Sequence, residues 1–589
     1  MQQLISLLSE EMGRAFEAAG YDASLGQVMV SGRPDLCEYQ CNGAMAGAKK
    51  YHKAPFVIAG EVAKHLEGAE RVFNVSVVKP GFINCDVTPA YLTQYLSEMA
   101  KADRLGVETS SRPRTVILDY GGPNVAKPLH VGHLRSAVIG EALKRILRFH
   151  GDNAIGDIHL GDWGLQMGLV ITELKHRHPE LPYFDENYTG EYPAEPPFTV
   201  ADLEEIYPYA SGRSREDEAY HREALENTHL LQEGQRGYRA LWEHIIHVSV
   251  ADMKRNYENL NVTFDLWNGE STVNDIIPVM VEDMKKSGLA YESQGALVVD
   301  VSEESDSKEI PPCMILKSDG AALYTTTDLA TIKMRKDQND PDEIIYVVDK
   351  RQELHFIQTF RAARKCGLIG DSCRLTFKGF GTVNGKDGRP FKTREGGVMR
   401  LESLIREIDD KMLGKIEANP DIPADEAKET AKIVGLAALK YGDLSNQASK
   451  DYIFDVEKFT SFEGDTGPYI LYTIVRIKSI LKKYLDASGR NPADLAIGAP
   501  SGVAEKTLMR SIAGFNRTMQ EAYEELAPHK ICAFIYQLSN DFNSFYHGTR
   551  ILTEEDQTQK EHWIALLYLT EKVLEICINV LGFDAPERM

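Results

Sequence analysis

The chain has 589 residues, 43% of them hydrophobic, so it can bury several cores and is long enough for about three or four domains. No apolar run approaches the roughly 18 residues of a membrane helix, and the amino terminus lacks the basic start and apolar core of a secretory signal, so we expect a cytoplasmic protein. The formal net charge of −22 repels polyanions on average, but clustered Lys and Arg can reverse the local field, so nucleic-acid binding is not excluded.

Residues 1–108 mix helical and strand patterns and end in a polar segment that predicts a domain boundary. A first amphipathic helix is predicted by apolar residues at helical spacing, namely Leu4, Leu7, Leu8, Met12 and Phe16. Strands are predicted in the stretch VFNVSVVKPGFINCDV. The 8 cysteines of the chain are scattered without a CxxC pair, so we expect reduced thiols and no tightly bound metal.

Residues 109–459 alternate strand and helix patterns, which predicts an α/β domain with a parallel sheet. The run TVILDY predicts a buried strand, a long helix follows and stops at Gly151, and NAIGDIHL predicts the next strand. A charged, Pro-rich stretch predicts an insertion around residues 174–320. Strand patterns return at ALVVDV, CMILKS, IIYVVD and LTFKGFGTV, so we predict a sheet assembled from both sides of the insertion.

Residues 460–589 are almost wholly helical in pattern, with breaks at Pro and Gly. They predict an all-α domain at the carboxyl end of the chain. The predicted fold class is therefore α/β with two appended domains, an α+β domain before the sheet and a helical domain after it.

Two histidines, His130 and His133, flank Gly132 at the predicted start of the long helix. The N–H groups and dipole of a helix N-terminus favour bound anions, and each imidazole can donate a hydrogen bond to an oxygen whose charge grows during phosphoryl transfer. Gly132 leaves room for a flat base. A zinc pair lacks a nearby third ligand, and two incidental histidines are the simpler interpretation of an isolated HxxH. The glycine, the preceding Pro-Asn turn and the strand-to-helix position together favour a nucleotide site.

A second candidate phosphate contact follows the last predicted strand. The stretch GFGTVNGKDG is not a Walker A loop, because Asp387 stands where Ser or Thr is needed. The next residues, PFKTREGG, place Lys392 and Arg394 among residues typical of a loop that closes over phosphates. Taken alone, this string is more typical of a solvated loop.

The string HVGH resembles the HIGH signature of class I aminoacyl-tRNA synthetases. Longer strings resemble arginyl-tRNA synthetases specifically and follow the order of that family along essentially the whole chain. They are KPGFIN, PNVAKPLHVGHLRS, GDWGLQMG, SDGAALYTTTDLA, YVVDKRQELHFIQ, GRPFKTREGG, SFEGDTGPYILY and APERM.

The resemblance implies a Rossmann-like catalytic domain that activates arginine with ATP and passes it to the terminal adenosine of tRNA(Arg). It also implies that residues 1–108 contact the outer corner of the tRNA and that residues 460–589 bind its anticodon. Mg²⁺ is expected only as part of the ATP complex, and we expect a monomer without membrane association.

The family's ATP-binding role falls on His130, Gly132 and His133. The string PFKTR stands in the place of the KMSKS signature but lacks the usual lysine in its fourth position. The pyrophosphate contact therefore stays open between Lys392 and Arg394, and Lys127, just ahead of HVGH, is a candidate to compensate.

The resemblance implies an arginine site formed by Asp119, Asn124, Tyr324, Asp328 and Gln352. Two carboxylates suit a planar guanidinium, because they accept paired, charge-assisted hydrogen bonds, and Asp119 with Asp328 would supply them. From the pattern alone, Asp119 is an ordinary acid at the end of a strand and Asp328 is a helix N-cap.

Predicted tRNA contacts lie on the first helix of the carboxyl-terminal region, GPYILYTIVRIKSILKKY. A basic ridge with aromatic side chains can meet phosphates and unstacked bases. The candidates are Tyr469, Arg476, Lys478 and Lys482, with Tyr472 and Lys483 beside them. A solvated face with core tyrosines is the alternative.

Three other functions are compatible with parts of the sequence. A class I synthetase for glutamate, glutamine or lysine shares the HVGH signature. A small HxGH nucleotidyltransferase does not need the helical region. A non-catalytic tRNA-binding relative is opposed by the intact His130, His133, Asp119 and Asp328.

Overall fold

The structure is a computed structural model that describes residues 1–66, 71–389, 399–419 and 422–589. The chain divides into two compact units. The first consists of residues 1–109, 462–579 and 584–589, and the second of residues 110–461 and 580–583.

The amino-terminal part of the first unit is a small antiparallel sheet with helices. Its elements are α1 (Leu4–Ala18), β1 (Val28–Val30), β2 (Tyr39–Cys41), α2 (Gly43–Tyr51), α3 (Pro55–Lys64), β3 (Phe73–Val78), β4 (Phe82–Val87) and α4 (Pro89–Lys101). The strands pair in the order β1-β2-β4-β3. As predicted, α1 is amphipathic, and it buries Leu8, Met12 and Phe16.

The second unit is built on a parallel sheet. Its elements are β5 (Thr115–Tyr120), α5 (Val131–Phe149), β6 (Asn153–Leu160), α6 (Leu165–Arg177), α7 (Val200–Glu216), α8 (Glu218–Gln232), α9 (Arg236–Asn259), β7 (Leu266–Gly269), α10 (Ile276–Lys286), β8 (Ala290–Ser293), β9 (Ala296–Val299), β10 (Cys313–Leu316), α11 (Tyr324–Asn339), β11 (Glu343–Asp349), α12 (Glu353–Lys365), β12 (Arg374–Phe380), β13 (Val383–Asn384), α13 (Leu401–Ile416), α14 (Ala424–Leu444), β14 (Tyr452–Ile453) and α15 (Val456–Phe459). The strand order β12-β11-β5-β6-β7, parallel throughout, is that of a doubly wound sheet. The apolar runs of β5 and β11 are buried, as expected of central parallel strands.

Two of the predicted strands belong to another sheet. The runs ALVVDV and CMILKS form β9 and β10, and β9 pairs with both β8 and β10 in a separate antiparallel sheet. The reason is local: β8 and β9 are joined by Gln294 and Gly295, both with positive φ, and so tight a turn forces antiparallel pairing.

The predicted insertion around residues 174–320 is not one block. The short strand β7, from within that range, joins the edge of the parallel sheet beside β6. The prediction of a sheet built from both sides of the insertion was therefore wrong for β9 and β10 and missed β7. The helices α7 and α8 pack against α6.

The remainder of the first unit is helical, as predicted. Its helices are α16 (Gly467–Ser488), α17 (Val503–Ala513), α18 (Phe515–Glu524), α19 (Pro528–Gly548) and α20 (Gln557–Leu581). The amino-terminal part packs on it through α4 and α17, and Lys506 lies 2.7 Å from Glu38. The predicted fold class is thus confirmed. Among the helices of the described residues, none combines the length and apolarity required to cross a membrane.

Candidate active site

The largest group of predicted site residues meets in one cleft at the carboxyl ends of the parallel strands. In a doubly wound sheet, ligands bind where the strand order reverses, which here is between the neighbouring strands β5 and β11. The cleft has a volume of about 470 Å³ and is lined from β5, β11 and the first turns of α5, α11 and α12. The fold therefore places the cleft where a nucleotide site is expected.

The two histidines of HVGH cap the start of α5. Nδ1 of His130 accepts the N–H of Gly132 at 3.0 Å, and Nδ1 of His133 accepts the N–H of His130 at 3.1 Å. The centroids of the two rings are 3.9 Å apart. Because an accepting imidazole nitrogen carries no hydrogen, the cap places the hydrogen of each neutral ring on Nε2.

Both imidazoles are neutral at physiological pH. Burial lowers the pKa of His133 to about 3, and the charges of His130 and Lys127 act in the same direction. Burial also lowers the pKa of His130, again assisted by Lys127. His130 and His133, which line the cleft, thus supply Nε2–H donors at a helix N-terminus, as the chemistry of a growing phosphate charge requires.

Gly132 is needed by the first of these caps. A Cβ at position 132 would lie 2.7 Å from Cε1 of the His130 ring, which leaves no room for a side chain. The cap is thus a second reason for glycine at position 132, besides the predicted room for a flat base. Lys127 lies just before the cap, with its Nζ 4.4 Å from the centroid of the Tyr207 ring.

The segment after PFKTR, the string in the place of the second class I signature, is attached directly to HVGH. The N–H of Val131 donates to the carbonyl of Met399 at 3.0 Å, and the N–H of Leu401 donates to the carbonyl of Leu129 at 2.9 Å. His130 and Arg400 form an antiparallel bridge between these bonds. Lys392 and Arg394 themselves lie outside the described residues.

The segment before that loop is attached to the same helix. Nη1 of the buried Arg135 on α5 donates to the carbonyls of Gly381 at 2.8 Å and Lys450 at 3.0 Å, and its Nε donates to Asp443 at 3.1 Å. Both flanks of the second signature are therefore fixed relative to α5.

The residues predicted to bind arginine all line the cleft. Asn124 is bridged to Gly161 at the end of β6, Tyr324 begins α11, and Gln352 precedes α12. Asp328 lies inside α11, whose N-cap is Leu323, so the interpretation of Asp328 as an N-cap was wrong.

Asp119 already binds a guanidinium of the protein itself. Nη2 of Arg335, a side chain only 1% exposed, donates to Oδ2 of Asp119 at 2.6 Å. The same guanidinium donates to the buried Asp157 at 2.8 and 2.9 Å. Asp119 is therefore compensated by an internal cation through its Oδ2, while it also lines the cleft.

Family models match most of the chain. The model of the class I (R) tRNA synthetase catalytic domain matches residues 94–456, that of the arginyl tRNA synthetase N-terminal domain matches 2–87, and that of the DALR anticodon-binding domain matches 470–589. The arginine–tRNA ligase of Agathobacter rectalis is 60% identical, and that of Alkaliphilus oremlandii 54% identical, each over 100% of both chains.

The chain belongs to the arginyl-tRNA synthetase family.

Solved arginyl-tRNA synthetases share the fold. The Plasmodium falciparum structure has a TM-score of 0.80 at 23% identity and covers 100% of both chains. The Thermus thermophilus structure has a TM-score of 0.77 at 24% identity, over 99% of this chain and 100% of that one. The family resemblance seen in the sequence is confirmed, and the glutamate, glutamine and lysine synthetases are set aside.

The sequence did not identify Glu270 as a site residue of this synthetase. Glu270 follows β7 directly and lines the cleft. Burial raises its pKa to about 7, and the nearby negative charges of Asp162 and Asp328 contribute. An acid directly after a strand would have been the signal for Glu270. That signal is hidden in the sequence, because β7 has only the four residues LWNG and no strand pattern of its own.

His355 is a second residue that the sequence did not single out. It lies in the first turn of α12, lines the cleft and holds Asp328, with 2.6 Å between its Nε2 and Oδ2 of the acid. In the described part of this arginyl-tRNA synthetase, no group of three or more His, Cys, Asp or Glu side chains is placed to hold a metal ion.

The predicted tRNA contacts on α16 of this synthetase lie in different surroundings. Tyr469 is hydrogen-bonded through its hydroxyl to Asn540 and Asn543 at 2.7 and 2.9 Å. Lys478 is only 16% exposed and lies 3.2 Å from both Glu575 and Glu587, whereas Lys482 is exposed.

Arg476 stands in an aromatic surface of the helical part. Its guanidinium carbon is 4.7 Å from the ring centroid of Tyr472 and 5.1 Å from that of Tyr546. Its Nη1 donates to Oδ1 of Asn543 at 2.6 Å. Tyr472 is 42% exposed, so this surface combines a cation with an accessible ring.

Proposed function

We propose that this enzyme forms arginyl-adenylate from arginine and ATP in the described cleft and then transfers the arginyl group to the 3′-terminal ribose of tRNA(Arg). The observation that carries the proposal is the meeting of two unlike sets of groups in one cleft. The neutral His130 and His133 suit a nucleotide phosphate, and the acids Asp328 and Glu270 suit a guanidinium.

In the first step, a carboxylate oxygen of arginine attacks the α-phosphorus of ATP and pyrophosphate leaves. The Nε2–H groups of His130 and His133 stabilise the charge that grows on the phosphate oxygens, and neutral donors do so without needing a counter-ion of their own. Lys127 adds positive charge nearby. Mg²⁺, which arrives with ATP, neutralises the leaving pyrophosphate, and Lys392 or Arg394 assists it.

The guanidinium of arginine is bound between Asp328 and Glu270. The pKa of Glu270 is raised partly by Asp328, so these carboxylates are close enough to repel each other when both are charged. A guanidinium placed between them removes this repulsion and donates charge-assisted hydrogen bonds to both carboxylates. Asp119, which is paired with Arg335, shapes the cleft instead.

The affinity for arginine is expected to be about tenfold lower at pH 6 than at pH 8, because the pKa of Glu270 is raised to about 7. Below pH 7 the carboxyl is protonated in the free enzyme, so binding a cation there must expel a proton; above pH 7 this cost disappears. Calorimetric titration with arginine across this range measures the effect.

The matched variant for this titration is Glu270→Gln. It should bind arginine more weakly at pH 8 and lose most of the pH dependence. A variant that keeps the wild-type profile would show that another group, such as Asp162 or Asp328, is responsible.

A second cavity, of about 1020 Å³, adjoins the cleft and shares Asn124, Glu270 and Tyr324 with it. Its lining combines aromatic and basic side chains, which suit a single-stranded end of RNA. They include Trp163, Tyr207, Lys127, Arg215 and Lys317. We assign the 3′ end of tRNA to this cavity, so that the ribose hydroxyl reaches the adenylate and AMP leaves.

The helical part, residues 460–589, binds the anticodon in this proposal, and residues 1–108 bind the outer corner of the tRNA. We base the anticodon contact on Tyr472, Arg476 and Lys482 and not on Lys478, whose ammonium group is held by two carboxylates. The enzyme acts in the cytoplasm, where tRNA is used, and as a monomer.

Arg476→Ala should weaken tRNA(Arg) binding about tenfold, as expected for the loss of a stacked cation beside an aromatic surface. Filter binding measures the affinity. Lys478→Ala is the control and should change it much less; equal effects of the two substitutions would reject this placement of the contact.

The proposal as a whole is tested by ATP–pyrophosphate exchange with each standard amino acid, with and without tRNA from the same source. We expect exchange with arginine alone. Exchange with another amino acid would reject the assigned substrate. No exchange by folded protein that still binds tRNA would favour a non-catalytic tRNA-binding protein.

A further inference from the structure

His355 faces two residues of α11 with its two ring nitrogens. Nε2 lies 2.6 Å from Oδ2 of Asp328, and Nδ1 lies 3.5 Å from Oγ1 of Thr325. A carboxylate can only accept, so Nε2 carries the hydrogen and donates it to Asp328. Nδ1 then accepts from the Thr325 hydroxyl, which fixes the tautomer and the direction of the ring.

We propose that His355 is a positioning residue for arginine: it holds one carboxylate oxygen of Asp328 so that the other oxygen is presented to the substrate guanidinium. The inference rests on the proposed function, in which Asp328 binds that guanidinium. His355 and Asp328 both line the cleft, and their side chains are 28% and 25% exposed.

Asp328 shares the cleft with a second acid, Glu270, whose pKa is raised in part by the negative charge of Asp328. When the cleft holds no cation, these carboxylates repel each other whenever both are charged. A donor on the far side of Asp328 keeps its carboxylate in the orientation that binds, so less ordering remains to be done when arginine arrives.

Asp119 and Asp328 are held by different donors. Asp119 is held by the guanidinium of Arg335, which neutralises it as well as fixing it. His355 contacts only Oδ2 of Asp328, which leaves Oδ1 for a cationic substrate. The two acids of the cleft therefore acquire different roles from their different partners.

The inference is tested by the arginine KM and kcat of the full-length enzyme in ATP–pyrophosphate exchange, with saturating tRNA present throughout. We expect His355→Ala to raise the arginine KM about 10- to 100-fold, the range for losing a hydrogen bond to a charged group. The ATP KM should change less than about twofold, since α12 lines the part of the cleft that binds arginine in this proposal.

Two amides provide matched variants. The side-chain amide of Gln reaches the place of Nε2, so His355→Gln should restore the arginine KM to within about threefold of the wild-type value. Asn reaches only the place of Nδ1, so His355→Asn should behave like His355→Ala. A role limited to packing would not separate these two amides.

A double-mutant cycle with Asp328→Asn separates the two levels of the proposal. If Asp328→Asn leaves the arginine KM unchanged, the proposed function of Asp328 is wrong. If it raises the KM but His355→Ala does not, only the positioning role is wrong. If His355→Ala raises the KM equally in both backgrounds, His355 acts independently of Asp328 and the inference is overturned. We expect no further rise when His355→Ala is added to Asp328→Asn.

Discussion

Replacing His133 with Asn is expected to slow arginine adenylation by about 100- to 1000-fold, the effect of removing one donor from a preorganised oxyanion site. The side-chain oxygen of Asn can take the place of Nδ1 and still accept the N–H of His130, so the start of α5 stays capped. What Asn lacks is the Nε2–H that the cap directs away from the backbone. Single-turnover adenylate formation measures the change.

The control for this substitution is His133→Gln, whose amide reaches the place of Nε2. It should retain much more activity than His133→Asn, although it loses the cap. If the Asn variant turned over like the wild type, His133 would have no role as a donor to phosphate. The same conclusion would follow if the Gln variant, which loses the cap, were the slower of the two.

Replacing Arg335 with Gln should lower the free energy of unfolding of the second unit, which carries the cleft, by about 3–5 kcal/mol. This is the usual cost of leaving a buried charge without its partner. The substitution removes the cation between Asp119 and Asp157, and Asp157 is 0% exposed. Burial already raises the pKa of Asp157, and the charge of Arg335 opposes that rise. Urea unfolding at constant pH measures the loss.

A surface ion pair serves as the comparison. Arg255 is 71% exposed and lies 2.7 Å from Asp252, so Arg255→Gln should change the free energy of unfolding by less than about 0.5 kcal/mol. Equal urea midpoints for the two variants would mean that Arg335 does not compensate the buried acids. Adding Asp157→Asn to Arg335→Gln should recover part of the loss, because one of the uncompensated charges is then removed.

The sequence predicted those parts of the fold that depend on near neighbours. The apolar run TVILDY, the helix that starts at HVGH and the helical carboxyl-terminal region have periodicities that can be recognised within one segment. The sequence missed β7, because four residues with one Gly and one Asn carry no such period. It also assigned β9 to the wrong sheet, since pairing is decided by the turn at Gln294 and Gly295 and not by the apolar run.

The site was predictable only as a set of positions. Long motifs identified the residues of the cleft, but not the partners that decide what each one does. Arg335 is 216 residues from Asp119 and 178 from Asp157 along the chain, and no local pattern reports such a contact. The same limit applies to Lys478, because its place on a predicted basic ridge does not reveal the carboxylates of Glu575 and Glu587 beside it.

The different partners of Asp119 and Asp328 decide how the enzyme could be redesigned for another amino acid. Citrulline has nearly the shape of arginine, but a neutral urea group replaces the guanidinium. A variant that accepts it needs less negative charge at Asp328 and Glu270, where the substrate supplies the cation in our proposal. Asp119 has to stay, because a neutral residue there would take a carboxylate away from the buried Arg335. Although these acids line one cleft, only Asp328 and Glu270, whose counter-charge comes from the substrate in our proposal, can be replaced to change the substrate.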